Sequence, residues 1–273
     1  MSRARSDSTE RNHGGDTAKT IECALRVLGL FTHFAPEWTI KDIARQLDLP
    51  YSTAYRYVST IEKAGYLVRL GGTSNYRVGL SVVELAGVAL NQLDIRVHGL
   101  THLDHLADIT GLNANLAVLH QADVLHIAYA VRSEVPRMYT VLGRRAVANC
   151  TALGKVMLAD LPFEQVRQLI EQYGFRPYTV KSITTLPELE HELAEVRSRG
   201  YATDLGERSP MTHCLAAPIR NRTGRVVGAI SVSGPRERLK EDRLEELANV
   251  VREHAEMISY SLGYNEAVVY HPM

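Results

Sequence analysis

Between residues 39 and 66 the chain reads TIKDIARQLDLPYSTAYRYVSTIEKAGY, two helical apolar patterns separated by only three residues. Ile40, Ile43, Ala44 and Leu47 share one face of the first; Ala54, Val58, Ile61 and Gly65 share one face of the second, with Tyr57 at its edge. A three-residue turn, Asp48-Leu49-Pro50, joins the two. Thr39 is placed to cap the first helix, and Asp42 stands where the acid of a capping box belongs. Pro50 suits a first helical position, where its missing N–H leaves no bond unmade. Upstream, Ile21, Ala24, Leu25, Leu28 and Phe31 repeat the helical spacing, ended by a loop with Pro36 and Trp38. Downstream, Gly65 stops the helix, YLVRL reads as a strand, GGTSN as a turn and YRV as the returning strand. Helix, helix–turn–helix and β-hairpin in that order are the layout of a winged helix-turn-helix.

The polar face of the second helix of the pair carries Ser52, Arg56, Ser59 and Lys63. Small hydroxyls near a helix N-terminus let the backbone approach phosphates or base edges, and an arginine one turn on can reach a guanine or clamp a phosphate. Base contacts concentrate at the start of a recognition helix. The expected DNA-contacting set is therefore Tyr51, Ser52, Thr53, Tyr55, Arg56, Ser59 and Thr60, with Arg69 and Arg77 flanking the wing tip. A solvated face on an ordinary bundle helix has a similar composition; the preceding helix, the tight turn and the hairpin favour DNA. Charge agrees in sign. The whole chain is neutral, but residues 1–78 hold 11 Lys and Arg against 8 Asp and Glu, and the remainder 20 against 23.

With 273 residues, 45% of them apolar, the chain is long enough for two domains with real cores. It has no apolar run of transmembrane length, and its first residues lack the apolar core of a signal peptide. Cys23, Cys150 and Cys214 form neither a disulfide framework nor a paired zinc motif, which fits a reducing cytoplasm. Residues 1–17 read as a disordered arm, 18–79 as the winged helix-turn-helix, 80–96 as a linker helix and 97–273 as a second domain. The stretch GLSVVELAGVALNQLDIR, 79–96, is apolar on more than one face and suits burial against a second subunit. Another helix follows over 97–110, with Leu103, Leu106 and Ile109 inward and Gly111 at its end. From 112 the pattern changes to strands: LNANLAVLH and VLHIAYAV around a Gln-Ala-Asp turn, and HCLAAPIR and RVVGAISVSG around NRTG. Helices are expected from near Thr151, over 163–172, from the capping box Thr185/Glu188 to Gly200, and over 239–262. The result is an α+β domain, a mixed antiparallel sheet whose concave face can hold a small ligand.

IKDIARQLDLPYSTAYRYVSTIEKAGYL closely resembles the DNA-binding segment of the IclR family of bacterial transcription regulators, which follows a pattern like LTEIARxLGLPKSTAYRLLxTLExxGYV. The similarity continues, in family order, through YRVG (76–79), TGLNANLAVL (110–119), TALGKVMLADLP (151–162), GYATDLGE (200–207), CLAAPIRNRTGRVVGAISVSGP (214–235) and ISYSLGY (258–264). Tyr51 departs from it, standing where a lysine is expected. The resemblance implies an N-terminal winged helix-turn-helix joined by a linker helix to a C-terminal GAF-like effector-binding domain. It further implies double-stranded operator DNA as partner, a homodimer or homotetramer, and a small-molecule effector, usually a carboxylate, with no cofactor and no enzymatic activity.

The effector residues also have chemistry of their own. TALGK opens a helix, so the amides of Ala152 and Leu153 are free to hold an anion. Ser231 and Ser233 alternate on a strand and point to one face, Ile230 and Val232 to the other. Asp204 and Cys214 complete the family-like set, and Met138, Leu142 and Met157 are candidates for an apolar wall. Each has a blander reading: serines bonded to backbone, a cysteine acting as a small hydrophobe, an aspartate capping a turn. Two other functions compete. An enzyme could use Cys214 as nucleophile with His213 and Asp204, although adjacent strand residues point to opposite faces. A metal-responsive regulator could use His98, His102 and His105, one helix face with Asp108 beyond. CTALGKV lacks the leading glycine and the Ser/Thr of a nucleotide phosphate loop.

Overall fold

The computed structural model describes residues 13–132 and 141–265, the first five of these as backbone only. They form two compact units, divided between Ala89 and Leu90. The arm expected over 1–17 lies outside the described residues as far as 12, and His13 already belongs to a helix.

The first unit holds α1 (His13–Gly29), β1 (Trp38–Thr39), α2 (Ile40–Gln46), α3 (Tyr51–Lys63), β2 (Leu67–Arg69) and β3 (Asn75–Val78). Thr39 caps α2 as expected, its hydroxyl oxygen accepting from the Asp42 amide at 3.1 Å. The turn reverses direction at Asp48, which takes a left-handed φ of 52°. Pro50 is the cap of α3 rather than its first residue; its carbonyl accepts from the amides of Thr53 and Ala54. Val27, Ile43, Ala54, Val58, Ile61 and Leu67 fill the core, and Tyr57 is buried with them rather than at its edge. Of the apolar stripe expected on α1 and just after it, Ala24, Leu28 and Phe31 pack against this core, whereas Ile21 and Leu25 are exposed and Val27, outside the stripe, is the residue fully buried. Sequence spacing also missed β1, which joins the hairpin in the order β1-β3-β2 with Trp38 paired to Tyr76.

The two helices expected over 79–96 and 97–110 are α4 (Leu80–Asn91) and α5 (Asp94–Thr110), with the break between them at 92–93 rather than 96–97. In the first unit, Gly79 donates to the Tyr66 carbonyl at 2.8 Å. A Cβ at Gly79 would lie 2.1 Å from the Gly65 carbonyl oxygen, so no other residue fits there.

The second unit is a three-layer sandwich. Its sheet comprises β4 (Asn113–His120), β5 (Asp123–Ala130), β6 (Arg145–Val147), β7 (Ala202–Asp204), β8 (Thr212–Arg220) and β9 (Val226–Pro235). The order is β6-β5-β4-β9-β8-β7, and every pairing is antiparallel. The short edge strands β6 and β7 carried no alternation long enough to read. One face, with Leu116, Leu215, Ile230 and Val232, packs on α5 and α9 (Leu244–Ser261). The other, with Ala117, Ala216 and Ala229, packs on α6 (Ala152–Ala159), α7 (Phe163–Tyr173) and α8 (Leu186–Arg199). Small residues on that face let α6 sit close, and all eight α6 residues are buried. Thr185 caps α8 and Gly200 ends it in the left-handed conformation, as expected. Ile109 is an exception: it is 52% exposed, and Ala107 takes the inward place beside Leu103 and Leu106.

Candidate functional site

In the first unit, α3 presents the expected polar face to solvent. Tyr51, Ser52, Tyr55, Arg56 and Thr60 are exposed, and Thr53 and Ser59 half-buried at its margins. The buried stripe is Ala54, Tyr57, Val58 and Ile61, so at about 100° per residue the named polar positions face away from the core. Two of these side chains are partly committed already. Thr60 donates to the Arg56 carbonyl at 2.9 Å, and Arg69 Nε donates to the Thr73 carbonyl at 3.1 Å, bracing the wing's turn. Arg77 is exposed on β3.

In the second unit, a cavity of about 370 Å³ opens between the sheet and the N-terminus of α6. Strand register explains its floor. One row across the sheet reads Asn113, Ser233, Cys214, Asp204; the next reads Asn115, Ser231, Ala216, Ala202. Thus Asp204, Cys214 and Ser233, far apart in sequence, stand on three neighbouring strands. Ala152, Leu153, Asp204, Cys214, Ser231 and Ser233 all line this one cavity.

Each lining group has a definable state. Thr151 caps α6 by accepting from the Gly154 amide at 3.2 Å. The first intrahelical bond is made by Lys155 to the Thr151 carbonyl, so the amides of Ala152 and Leu153 precede it and face the cavity end of the helix dipole. A Cβ at Gly154 would lie 2.2 Å from the Ala148 carbonyl oxygen, which holds this turn close to the preceding chain. Asp204 Oδ1 accepts from the amides of Gly206, Glu207 and Arg208 at 3.1, 2.7 and 3.2 Å. Burial nevertheless raises its carboxyl above the ordinary range, against the pull of those bonds and Lys155. Ser231 is 1% exposed. Ser233 accepts from Asn115 Nδ2 at 3.1 Å.

Two of the three residues expected in the apolar wall, Leu142 and Met157, do not line the cavity. Met138 lies outside the described residues, and Leu142 is exposed. Met157 is in the core one helical turn past Leu153, too deep along α6 to reach the cavity. Val124, Ala146, Met211 and Pro235 serve instead. Sequence reasoning also missed Asn113, Asn115, His126, Arg144 and Arg208. Asn113 and Asn115 had a readable signal, two polar residues at strand period like the serines beside them; the loop residues had none.

The competing constellations do not assemble. His213 Nδ1 lies 2.9 Å from the Leu239 carbonyl oxygen, on the face opposite Cys214. Burial, reinforced by Asp204 and Glu207, pushes the Cys214 thiol well above its ordinary value, so it is no ready nucleophile. His102 meets His254 of α9, Nδ1 to Nδ1 at 3.0 Å, and His105 stands edge-on to the same ring. Asp108 pairs with Arg132. Among the described residues no group of three His, Cys, Asp or Glu has metal-holding geometry.

A winged helix-turn-helix with an open polar recognition face, together with a sheet-and-helix unit enclosing a ligand-sized cavity, defines a sensor class of DNA-binding regulator. The comparisons narrow this to one family. Residues 20–71 match the IclR helix-turn-helix domain and residues 87–260 the bacterial transcriptional regulator IclR C-terminal domain. The chain belongs to the IclR family of bacterial transcription regulators. It is 29% identical over 246 residues to the HTH-type transcriptional regulator XynR of Escherichia coli K12, covering 90% of this chain and 98% of XynR. A transcriptional regulator from Rhodococcus superposes with a TM-score of 0.79 at 27% identity, covering 89% of this chain and 98% of that one. An IclR homologue from Microbacterium hydrocarbonoxydans, solved in complex with 4-hydroxybenzoate, superposes with a TM-score of 0.78 at 26% identity, with the same coverage. No described helix is long and apolar enough to cross a membrane.

Proposed function

We propose that this regulator binds double-stranded operator DNA through α3 and the wing, and that a small carboxylate in the cavity of the second unit sets its operator affinity. On α3 the contacts come from Tyr51, Ser52, Thr53, Tyr55, Arg56, Ser59 and Thr60, with Arg69 and Arg77 on phosphates. The effector's carboxylate takes the amides of Ala152 and Leu153, and Ser231, Ser233, Cys214 and Asp204 hold the rest of the molecule. The protein acts in the cytoplasm as a homodimer or homotetramer, and it is not an enzyme. The observation that carries this reading is the row of hydroxyls on β9: Ser231, 1% exposed, and Ser233 both line a ligand-sized cavity that also meets Ala152 and Leu153 at the N-terminus of α6. A buried hydroxyl needs a partner, and a ligand supplies one. The Microbacterium homologue, with a hydroxylated aromatic carboxylate bound, supports the ligand class.

Control then follows from linkage. A ligand that binds the two functional states unequally shifts operator affinity by its differential affinity, and operator DNA shifts ligand affinity by the same factor. Thermal-shift screening of small organic acids, followed by gel shifts on the DNA flanking the protein's own gene, tests both halves. Changing Ser231 and Ser233 together to alanine should abolish the ligand response and leave DNA binding intact. Unchanged ligand affinity in that double variant would refute the cavity assignment, and DNA binding insensitive to salt would refute the operator reading.

A further inference from the structure

Two buried polar atoms in the cavity wall have no hydrogen-bond partner among the described residues, Asn115 Oδ1 and His126 Nδ1. Both residues are otherwise committed. Asn115 Nδ2 donates to Ser233, and the His126 backbone bonds to Arg144 and Gly143. The two side chains are diagonal neighbours. His126 pairs with Ala117, two residues along β4 from Asn115, and such positions sit about 7–8 Å apart with side chains that can meet at one atom. A β-bulge sets this up. Leu116 pairs with Ala128 and Ala117 with His126, so Ile127 is the extra residue. Ile127 and Ala128 both turn to the α5/α9 core, which leaves His126 on the cavity face.

The pair is not an anion site. Burial first, then the charges of Arg144 and Arg208, pushes the His126 imidazole down to about 4, so it is neutral at ordinary pH. A carboxylate oxygen only accepts and leaves Asn115 Oδ1 unsatisfied. A hydroxyl does both: it donates to Asn115 Oδ1 and accepts from the Nδ1–H tautomer of His126. We propose that Asn115 and His126 form a hydroxyl-selecting end of the cavity, so that the effector is a hydroxylated carboxylate. This rests on the carboxylate reading above and adds the second functional group of the molecule.

Calorimetric titration of the full chain with matched acids tests it: benzoate and 4-hydroxybenzoate, 3-phenylpropionate and 3-(4-hydroxyphenyl)propionate, butyrate and 4-hydroxybutyrate. In at least one pair the hydroxylated acid should bind at least about tenfold tighter, the order expected when a site built for a hydroxyl meets an analogue lacking it. The preference should disappear in His126→Phe and Asn115→Leu and persist in His126→Asn, whose amide can replace Nδ1. If acids bind with no preference in any pair, or the preference survives both apolar substitutions, the inference is overturned while the carboxylate reading stands. If none of the acids binds to protein that still binds operator DNA, the carboxylate reading itself fails and the inference falls with it. The wild-type comparison decides the matter even if an apolar variant does not fold.

Discussion

Lys155 Nζ lies 2.5 Å from Glu207 Oε1, with only 2% of the lysine side chain exposed. Glu192 on α8 is 3.1 Å from the same nitrogen. One buried cation therefore ties α6 and α8 to the loop whose amides converge on Asp204. Burial pushes the Glu207 carboxyl up to about 7 despite the opposing pull of Lys155. Lys155→Met would leave the acids facing one another in a poorly solvated site, and removing one member of a buried pair costs about 3–5 kcal/mol. Urea unfolding should show that loss, and a smaller one when Glu207→Gln is added. Equal losses in the single and double variants would mean that the charge cluster is not what holds the loop.

The proposed operator contacts divide into reading and anchoring. Arg56→Ala should cost about 1–3 kcal/mol of DNA binding and relax preference at one base position. Arg77→Ala should weaken all sequences alike and lower the salt slope by about 1. Gel shifts over a salt series, against operators varied one base at a time, separate the two. If Arg56→Ala leaves base preference unchanged, it contacts only phosphate.

Much of this was legible in the sequence because local chemistry decided it. Thr39, Thr185 and Gly200 signal helix ends with their own side chains or lack of one, and the Ser231/Ser233 alternation places both on one face without any knowledge of the fold. What stayed hidden depended on tertiary context. The bulge at Ile127 breaks the alternation that would have identified His126. Met157 satisfied an apolar pattern but lay one turn too deep. Ile21 and Leu25 satisfied helical spacing, yet the core chose Val27, because periodicity marks an apolar stripe and not which edge of it is covered.

Stability should record the His126 imidazole. The ordinary value is 6.5, and in the folded chain it is about 4. The unfolded chain takes up a proton below pH 6.5 that the folded chain resists. This contribution is thus fully present above pH 6.5 and is lost as pH falls toward 4, by at most about 1.4 kcal/mol per pH unit. His126→Asn removes the group, so its unfolding free energy should fall less steeply over that window than that of the wild type. Identical slopes would place the histidine in solvent.

Cys214 should be a slow thiol. It lines the cavity, but its pKa lies well above the ordinary value through burial and the neighbouring carboxylates, and the thiolate is the reactive form. Iodoacetamide at neutral pH, followed by peptide mass spectrometry, should modify Cys23 before Cys214. Preferential labelling of Cys214 would reopen the nucleophile reading.

The helix α4 presents an uncovered apolar surface. Its Leu80, Val83, Leu85 and Val88 are all exposed, and no residue of the helix is buried. A helix apolar on more than one face is unfavourable in water unless something covers it, and the proposed homo-oligomer supplies the cover. Leu85→Glu with Val88→Glu introduces two charges into that contact, and desolvating an unpaired carboxylate is expensive. Sedimentation velocity should show the double variant shifted to monomer at concentrations where the wild type is assembled. Because a dimeric regulator binds two half-sites at once, operator affinity should fall by about 100-fold or more, while ligand affinity, set within one second unit, stays the same. An assembled double variant with wild-type operator affinity would show that α4 is not the interface.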